Sequence, residues 1–274
     1  MSYKYSEDIN SFFSVLNKSY YKFLPLQDFS GNELCYIPSL YNIEPGLKKL
    51  YTATANPANI EDEIIATSAI ENIDTKKESV RKILNGSIPD SADEKRIYGL
   101  KLGLDFINNP ENKINEDNFY KLYKIAIGDY LDCESMLPEG YIYRNDKVFI
   151  VGNKIEHTGL SCLKIPEYMD MLFVFIADTD DIPTLIKAAI IHFYIAYIHP
   201  YFDGNGRMAR LVHLWFLIQN GFTTALFSPF STKISKTKNE YYKAFSITEE
   251  NIKICGRLDL TPFIKYFFDN VYSA

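Results

Sequence analysis

The strongest constraint on how this chain folds is the run IPTLIKAAIIHFYIAYI, Ile182–Ile198. From Ile190 to Ile198 apolar side chains cover almost every face of a helical wheel, so the helix must be wrapped on all sides by other elements. Pro183 suits its first turn. The run is short for a bilayer span and holds Lys187 and His192, so a central buried helix is expected rather than a membrane one. A chain of 274 residues with 47% apolar side chains is large enough to surround it.

Helical patterns dominate the rest. NIEDEIIATSAIENI places Ile64, Ile65, Ala69 and Ile73 on a helical stripe. TKKESVRKILNG reads as a short helix ended by Gly86, SADEKRIYGLKLGLDFINN and NEDNFYKLYKIAIGDYL as two more, the second starting near Asn115 or Asn118. TKNEYYKAFSIT is helical, and in TPFIKYFFDNVY Thr261 is the expected cap with Pro262 at the first position. The exception is YIYRNDKVFIVGNKIEH, where YIYR and VFIV flank NDK and predict a β-hairpin that can also receive an extended peptide.

Directly after the buried run comes HPYFDGNGRMAR, His199–Arg210. Pro200 disfavours helix at His199, Gly204 and Gly206 permit unusual backbone angles, and a second helix runs from Arg207 to a stop at Gly221. Backbone N–H groups of a tight loop, with the positive end of the new helix, make an anion site. Arg207 and Arg210, three apart, can lean toward that end and fork onto phosphate oxygens. Asp203 can hold a magnesium ion, which favours one or two carboxylates plus phosphate oxygens. Asn205 can donate to a phosphate oxygen, and His199 can take the proton of an attacking hydroxyl. Taken singly, each residue would more often be a turn, a cap or a packing residue. Together they describe a nucleoside triphosphate site that transfers to an alcohol or phenol.

The net charge of −6 argues against broad nucleic-acid or anionic-membrane binding. The start MSYKYSEDINSFFSVL lacks a basic segment followed by a long apolar one, so no signal peptide is expected. Cys35, Cys133, Cys162 and Cys255 are scattered, which suggests reduced thiols and a cytoplasmic setting. His157, His192, His199 and His213 make no zinc pattern.

HPYFDGNGRMAR resembles the signature of the Fic family, H-P-F-x-[DE]-G-N-G-R-x-x-R, with Tyr201 in place of the usual Phe. The likeness extends from about Glu63 to Phe268. It implies a mainly α fold, a Fic-type helical bundle with one β-hairpin flap. An N-terminal helical region would cover 1–108, the Fic core 109–228 and closing C-terminal helices 229–274. It implies transfer of AMP from ATP to a Ser, Thr or Tyr hydroxyl of a target protein, and of the protein itself, with magnesium. His199 would be the base and Asp203 the metal ligand. Gly204, Asn205, Gly206, Arg207, Met208, Ala209 and Arg210 would bind the nucleotide, joined by Tyr241 and Tyr242 of NEYYKAF. The flap near Tyr143–Gly152, with Val148, Phe149, Ile150, Val151 and Gly152, would align an as yet unknown target protein.

Upstream, TSAIEN resembles the family's inhibitory motif, [ST]-x-x-x-E-[GN], on a helix of about 60–73. That likeness assigns Thr67, Glu71 and Asn72 to a brake in which Glu71 pairs with Arg210. Three alternatives stay open: removal of AMP, transfer of another phosphate-containing group, and an inactive nucleotide-binding module. Gly204 favours AMP transfer over the kinase-like branch, which departs at that glycine. Relatives often form dimers, so a homodimer is also open, and little room remains for an appended nucleic-acid module.

Overall fold

A computed structural model of the protein describes residues 20–40, 57–151, 155–228 and 230–272. The chain opens with an antiparallel hairpin, β1 (Lys22–Gln27) and β2 (Glu33–Tyr36). Four helices follow: α1 (Pro57–Ile70), α2 (Lys77–Leu84), α3 (Ala92–Asn108) and α4 (Glu116–Ala126). A second hairpin, β3 (Phe149–Val151) with β4 (Ile155–Thr158), precedes α5 (Ile165–Ala177), α6 (Thr184–Ile198) and α7 (Asn205–Gln219). Then come α8 (Phe230–Lys236), α9 (Lys238–Glu250) and α10 (Thr261–Tyr266).

Helix α6 is the axis, buried along its length except at half-buried Thr184 and Ala196. It packs most extensively on α7, and α10 also lies against it. The buried ammonium of Lys187 is neutralised by Asp180 Oδ2 at 2.9 Å and bonded to the Asp178 carbonyl at 2.7 Å. One apolar core runs from Leu24 to Tyr272, so all three sequence regions contribute to it. Among the described residues no helix is long and apolar enough to cross a membrane.

Local signals placed several ends. Ser91 Oγ caps α3 by accepting the Glu94 N–H at 3.2 Å, and Asn115 Oδ1 caps α4 by accepting that of Asn118 at 2.9 Å. Three expectations need correction. Thr261 does not cap α10: it lies inside the helix, and its hydroxyl donates to Asp259 Oδ1 at 2.5 Å while accepting from Ile37 N–H. On α1 the stripe is not apolar: Ala69 is exposed and Ile65 half-buried, whereas Glu63, Thr67 and Ser68 share the inner face with Ile64 and Ile70. Polar partners on α7 and α8 make that burial tolerable. Ser231 donates its N–H and Oγ to Glu63, and Arg210 donates to Thr67.

The third correction is to the flap. Tyr141–Arg144 is not a strand; β3 pairs forward with β4, with Phe149 opposite Thr158 and Ile150 opposite His157. The reason is anchoring elsewhere: Tyr143 donates to Glu116 Oε1 at 2.9 Å, and the Arg144 side chain is buried. Arg144 Nε donates to the His199 carbonyl at 2.7 Å, and its two terminal nitrogens donate to the carbonyls of Asp146 and Leu160. Gly152 lies outside the described residues.

Candidate active site

Helix α6 ends where Pro200 follows His199. His199 takes a left-handed conformation, φ 57°, costly for a side chain with a Cβ. Two bonds hold it there: its N–H donates to Ile195 O at 3.0 Å, and its Nδ1 sits 3.2 Å from Ala196 O. A carbonyl only accepts, so Nδ1 carries the hydrogen and Nε2 keeps a lone pair for an incoming proton. Burial pulls the ring's pKa down to about 4, and the nearby His157 and Arg144 add to the shift. The imidazole is therefore a neutral acceptor at ordinary pH.

Below the loop, Tyr201 is fully buried and stacks on Tyr123 with ring centroids 3.5 Å apart. The extra hydroxyl that replaces the family's Phe finds no partner among the described residues. Asn205 braces the turn, accepting from Tyr201 N–H at 2.9 Å and donating to Tyr201 O at 2.8 Å. Its carbonyl and one N–H are thus engaged inside the loop, which leaves the second amide N–H for the donation expected of it. Gly204 turns the chain at φ 85°, and a Cβ there would collide with Ile127. Met208 and Ala209 are both fully buried, and the Met208 N–H is already bonded to Gly204 O at 2.9 Å. The first-turn N–H groups ahead of them are the ones a helix leaves without intrahelical acceptors.

The loop opens into a cavity of about 280 Å³. One end is formed by Asp203, Gly204, Asn205, Gly206 and Arg210, and His199 stands at its side. Ile150 of the flap, Tyr241, Tyr242 and Phe245 supply apolar wall, with His157, Ser246 and Glu249 as polar edge. Tyr241 is buried with its hydroxyl 2.7 Å from His192 Nε2, whereas Tyr242 is partly exposed. Exposed Phe149 and half-buried Val148 keep the flap's outer side open. Arg207 turns away into a neighbouring polar cavity shared with Glu71, Arg96, Asp132 and Asp203.

Arg210 is held by a distant segment. Its Nε donates to Thr67 Oγ1 at 2.7 Å, and its Nη2 to Thr67 O at 3.2 Å and Glu71 Oε1 at 2.5 Å. Burial raises the pKa of the Glu71 carboxyl, but the Arg210 charge and hydrogen bond outweigh it, and the net shift is downward. Burial likewise disfavours the charged guanidinium, and Glu71 reverses that. Glu71 also lies so close to Gly206 that a Cβ there would strike its carboxylate. The Asn of TSAIEN has a conformational reason: Asn72 leaves α1 at φ 59°, which Asn tolerates better than most residues. Its Oδ1 accepts from Lys238 Nζ of α9 at 2.7 Å.

Asp203 Oδ1 accepts the Gly204 N–H at 2.5 Å, and Oδ2 accepts from Arg207 Nη2 at 3.1 Å. The carboxylate is half exposed at the cavity. No cluster of three or more His, Cys, Asp or Glu groups among the described residues could hold a metal by itself. One reachable carboxylate beside an anion site fits a magnesium ion that arrives on phosphates and keeps several waters.

Two residues of the site carried no sequence signal. Arg144 is a lone arginine among aromatics, and His157 a lone histidine in a strand. Only the folded chain brings them against the end of α6.

A buried helix, a glycine-turned loop and a histidine held at the helix end by a backbone carbonyl define a helical domain with a cavity at that junction. Residues 113–217 match the family model described as Fic/DOC, and the chain carries a Fic domain. It is 24% identical to the protein adenylyltransferase Fic of Drosophila erecta over 198 residues, 69% of this chain and 34% of that protein. With the protein adenylyltransferase fic-1 of Caenorhabditis elegans it shares 26% identity over 215 residues, 73% of this chain and 37% of that one. The chain thus spans about a third of the length of the curated relatives it matches. A Fic family protein from Desulfovibrio desulfuricans G20 superposes with a TM-score of 0.69 at 21% identity, covering 83% of this chain and 69% of that one. A Fic-domain signaling protein from Bacteroides thetaiotaomicron VPI-5482 does so at 0.62 and 16%, covering 85% and 93%. At these identities the structural likeness speaks for the fold.

Proposed function

We propose that this Fic domain transfers AMP from ATP to a Ser, Thr or Tyr hydroxyl of a target protein, and of itself, and is restrained by Glu71. The observation that carries the reading is the shared cavity. His199, with Nε2 free, stands beside an anion-binding helix end whose outer arginine is occupied by a carboxylate.

The target hydroxyl gives its proton to His199 Nε2 as its oxygen bonds to the α-phosphorus. The bond from that phosphorus to the bridging oxygen breaks, its electron pair leaves with pyrophosphate, and the AMP stays on the target. The first-turn N–H groups of Asn205 and Gly206 hold phosphate oxygens and stabilise the charge that develops. Magnesium, when bound, neutralises phosphate charge, and Asp203 is the residue to hold it. The target lies along β3, where Phe149 and Ile150 are exposed. While Glu71 occupies Arg210, the γ-phosphate lacks its guanidinium and ATP does not settle in line for attack. A shielded Glu–Arg pair can hold such a closed state by a few kcal/mol.

The test is intact-protein mass after incubation with ATP and magnesium. Wild type gains little AMP, Glu71→Gly gains more, and Glu71→Gly with His199→Ala gains none. Equal gain in wild type and Glu71→Gly would remove the brake from the reading. Loss of AMP from a modified target, without gain in any variant, would replace transfer by hydrolytic removal.

A further inference from the structure

The carbonyls at the end of α6 form an unusual account. A helix leaves its last carbonyls without intrahelical partners. Here His199 itself covers Ile195 O with its N–H and Ala196 O with its Nδ1. The next four in sequence are all taken by the flap segment. His157 Nε2 lies 2.8 Å from Tyr197 O, and Leu160 N–H donates to Ile198 O at 3.1 Å. Arg144 Nε donates to His199 O at 2.7 Å, and Arg144 N–H to Pro200 O at 2.9 Å.

The other ring nitrogen of His157, Nδ1, lies 2.9 Å from Glu249 Oε2 on α9. A backbone carbonyl and a carboxylate are both acceptors. A neutral imidazole has one N–H and satisfies one of them, whereas the doubly protonated ring satisfies both. The negative end of α6 and the Glu249 carboxylate both favour that cation. The other groups facing the ring are the His199 imidazole, with centroids 6.3 Å apart, the Tyr197 phenol and Phe29 of the β1–β2 turn. Arg144 is the nearby cation, its guanidinium crowding Gly159 two residues on.

We infer that His157 and Glu249 form a charged latch that seats the β3–β4 hairpin against the end of α6. His157 thereby acts as a positioning residue for the target segment and for His199. The activity arm of its test rests on the proposed AMP transfer, and the spectroscopic arm does not. In transfer assays on the Glu71→Gly protein, adding His157→Gln or Glu249→Gln raises KM for the target about tenfold. That is the effect of losing one charge-assisted hydrogen bond. Both variants change kcat and the KM for ATP less, and the double substitution costs no more than either single one.

In ¹⁵N spectra of the full chain, assigned by difference against His157→Gln, both ring nitrogens carry hydrogen at the pH of maximal activity. Glu249→Gln turns the ring into a single tautomer there. A neutral His157 in the wild-type spectrum, or additive losses in the double variant, would overturn the latch. An inactive protein with the expected spectra would leave the latch standing and remove the proposed transfer.

Discussion

Arg207 and Arg210 sit one turn apart on the same helix, and both are at least nine-tenths buried, yet they are held in opposite ways. Arg207 is bound by its own loop, through Asp203 four residues back, and its Nε has no partner among the described residues. Arg210 is bound by α1, 139 to 143 residues away in sequence, which fills both its Nε and Nη2. The first arrangement forms with the loop and can only be locally rearranged. The second depends on where an independent helix docks. A distant helix that withdraws returns a whole guanidinium to the cavity, and this makes Arg210, not Arg207, the residue through which the site can be restrained.

The largest effect tests the shared chemistry beneath this contrast. His199→Ala lowers transfer by about 100- to 10,000-fold, the usual worth of a general base, while nucleotide binding persists. Next, Glu71→Gly raises transfer about 10- to 100-fold by freeing Arg210, as removal of a few kcal/mol of bias requires. Asp203→Ala removes the carboxylate that holds Arg207 and faces the shared cavity, and leaves the Glu71–Arg210 pair in place. It raises the magnesium concentration needed for half-maximal activity about tenfold, the share of one charged ligand, equally with and without Glu71. Non-additivity between those two substitutions would break the contrast. The smallest effect is that of Thr67→Val, which removes one hydrogen bond to Arg210 and raises activity about 2- to 10-fold. The acid limb of the pH profile sharpens the picture. His199 is neutral above about pH 4, so activity falls as pH drops through that value and not through the ordinary imidazole range near 6.5.

Much of this was legible in the residues. Alternation of helix patterns, Ser91 and Asn115 as caps, and the all-apolar α6 are local or periodic signals, and the fold follows them. The loop was legible because its chemistry is compressed into twelve consecutive positions, His199–Arg210. The flap register was not, because a buried Arg144 and a Tyr143 bonded to Glu116 pull the expected first strand out of pairing. Which polar groups of Asn205 and Met208 are already engaged was not legible for a related reason: sequence names residues of a loop without telling which of their donors and acceptors the fold has spent.

By itself, the sequence determined what is written within one turn or one period. This includes a buried axial helix, a glycine-turned helix start with two arginines, and a histidine whose position before a proline ends the helix above it. The tertiary structure alone decided which distant partner each polar group meets: Glu71 with Arg210, Glu63 with Ser231, His157 with Glu249 and Tyr197. The physical reason is that a buried charge or carbonyl must be satisfied by whatever group the packing delivers. That group can lie anywhere along the chain, so no local pattern announces it.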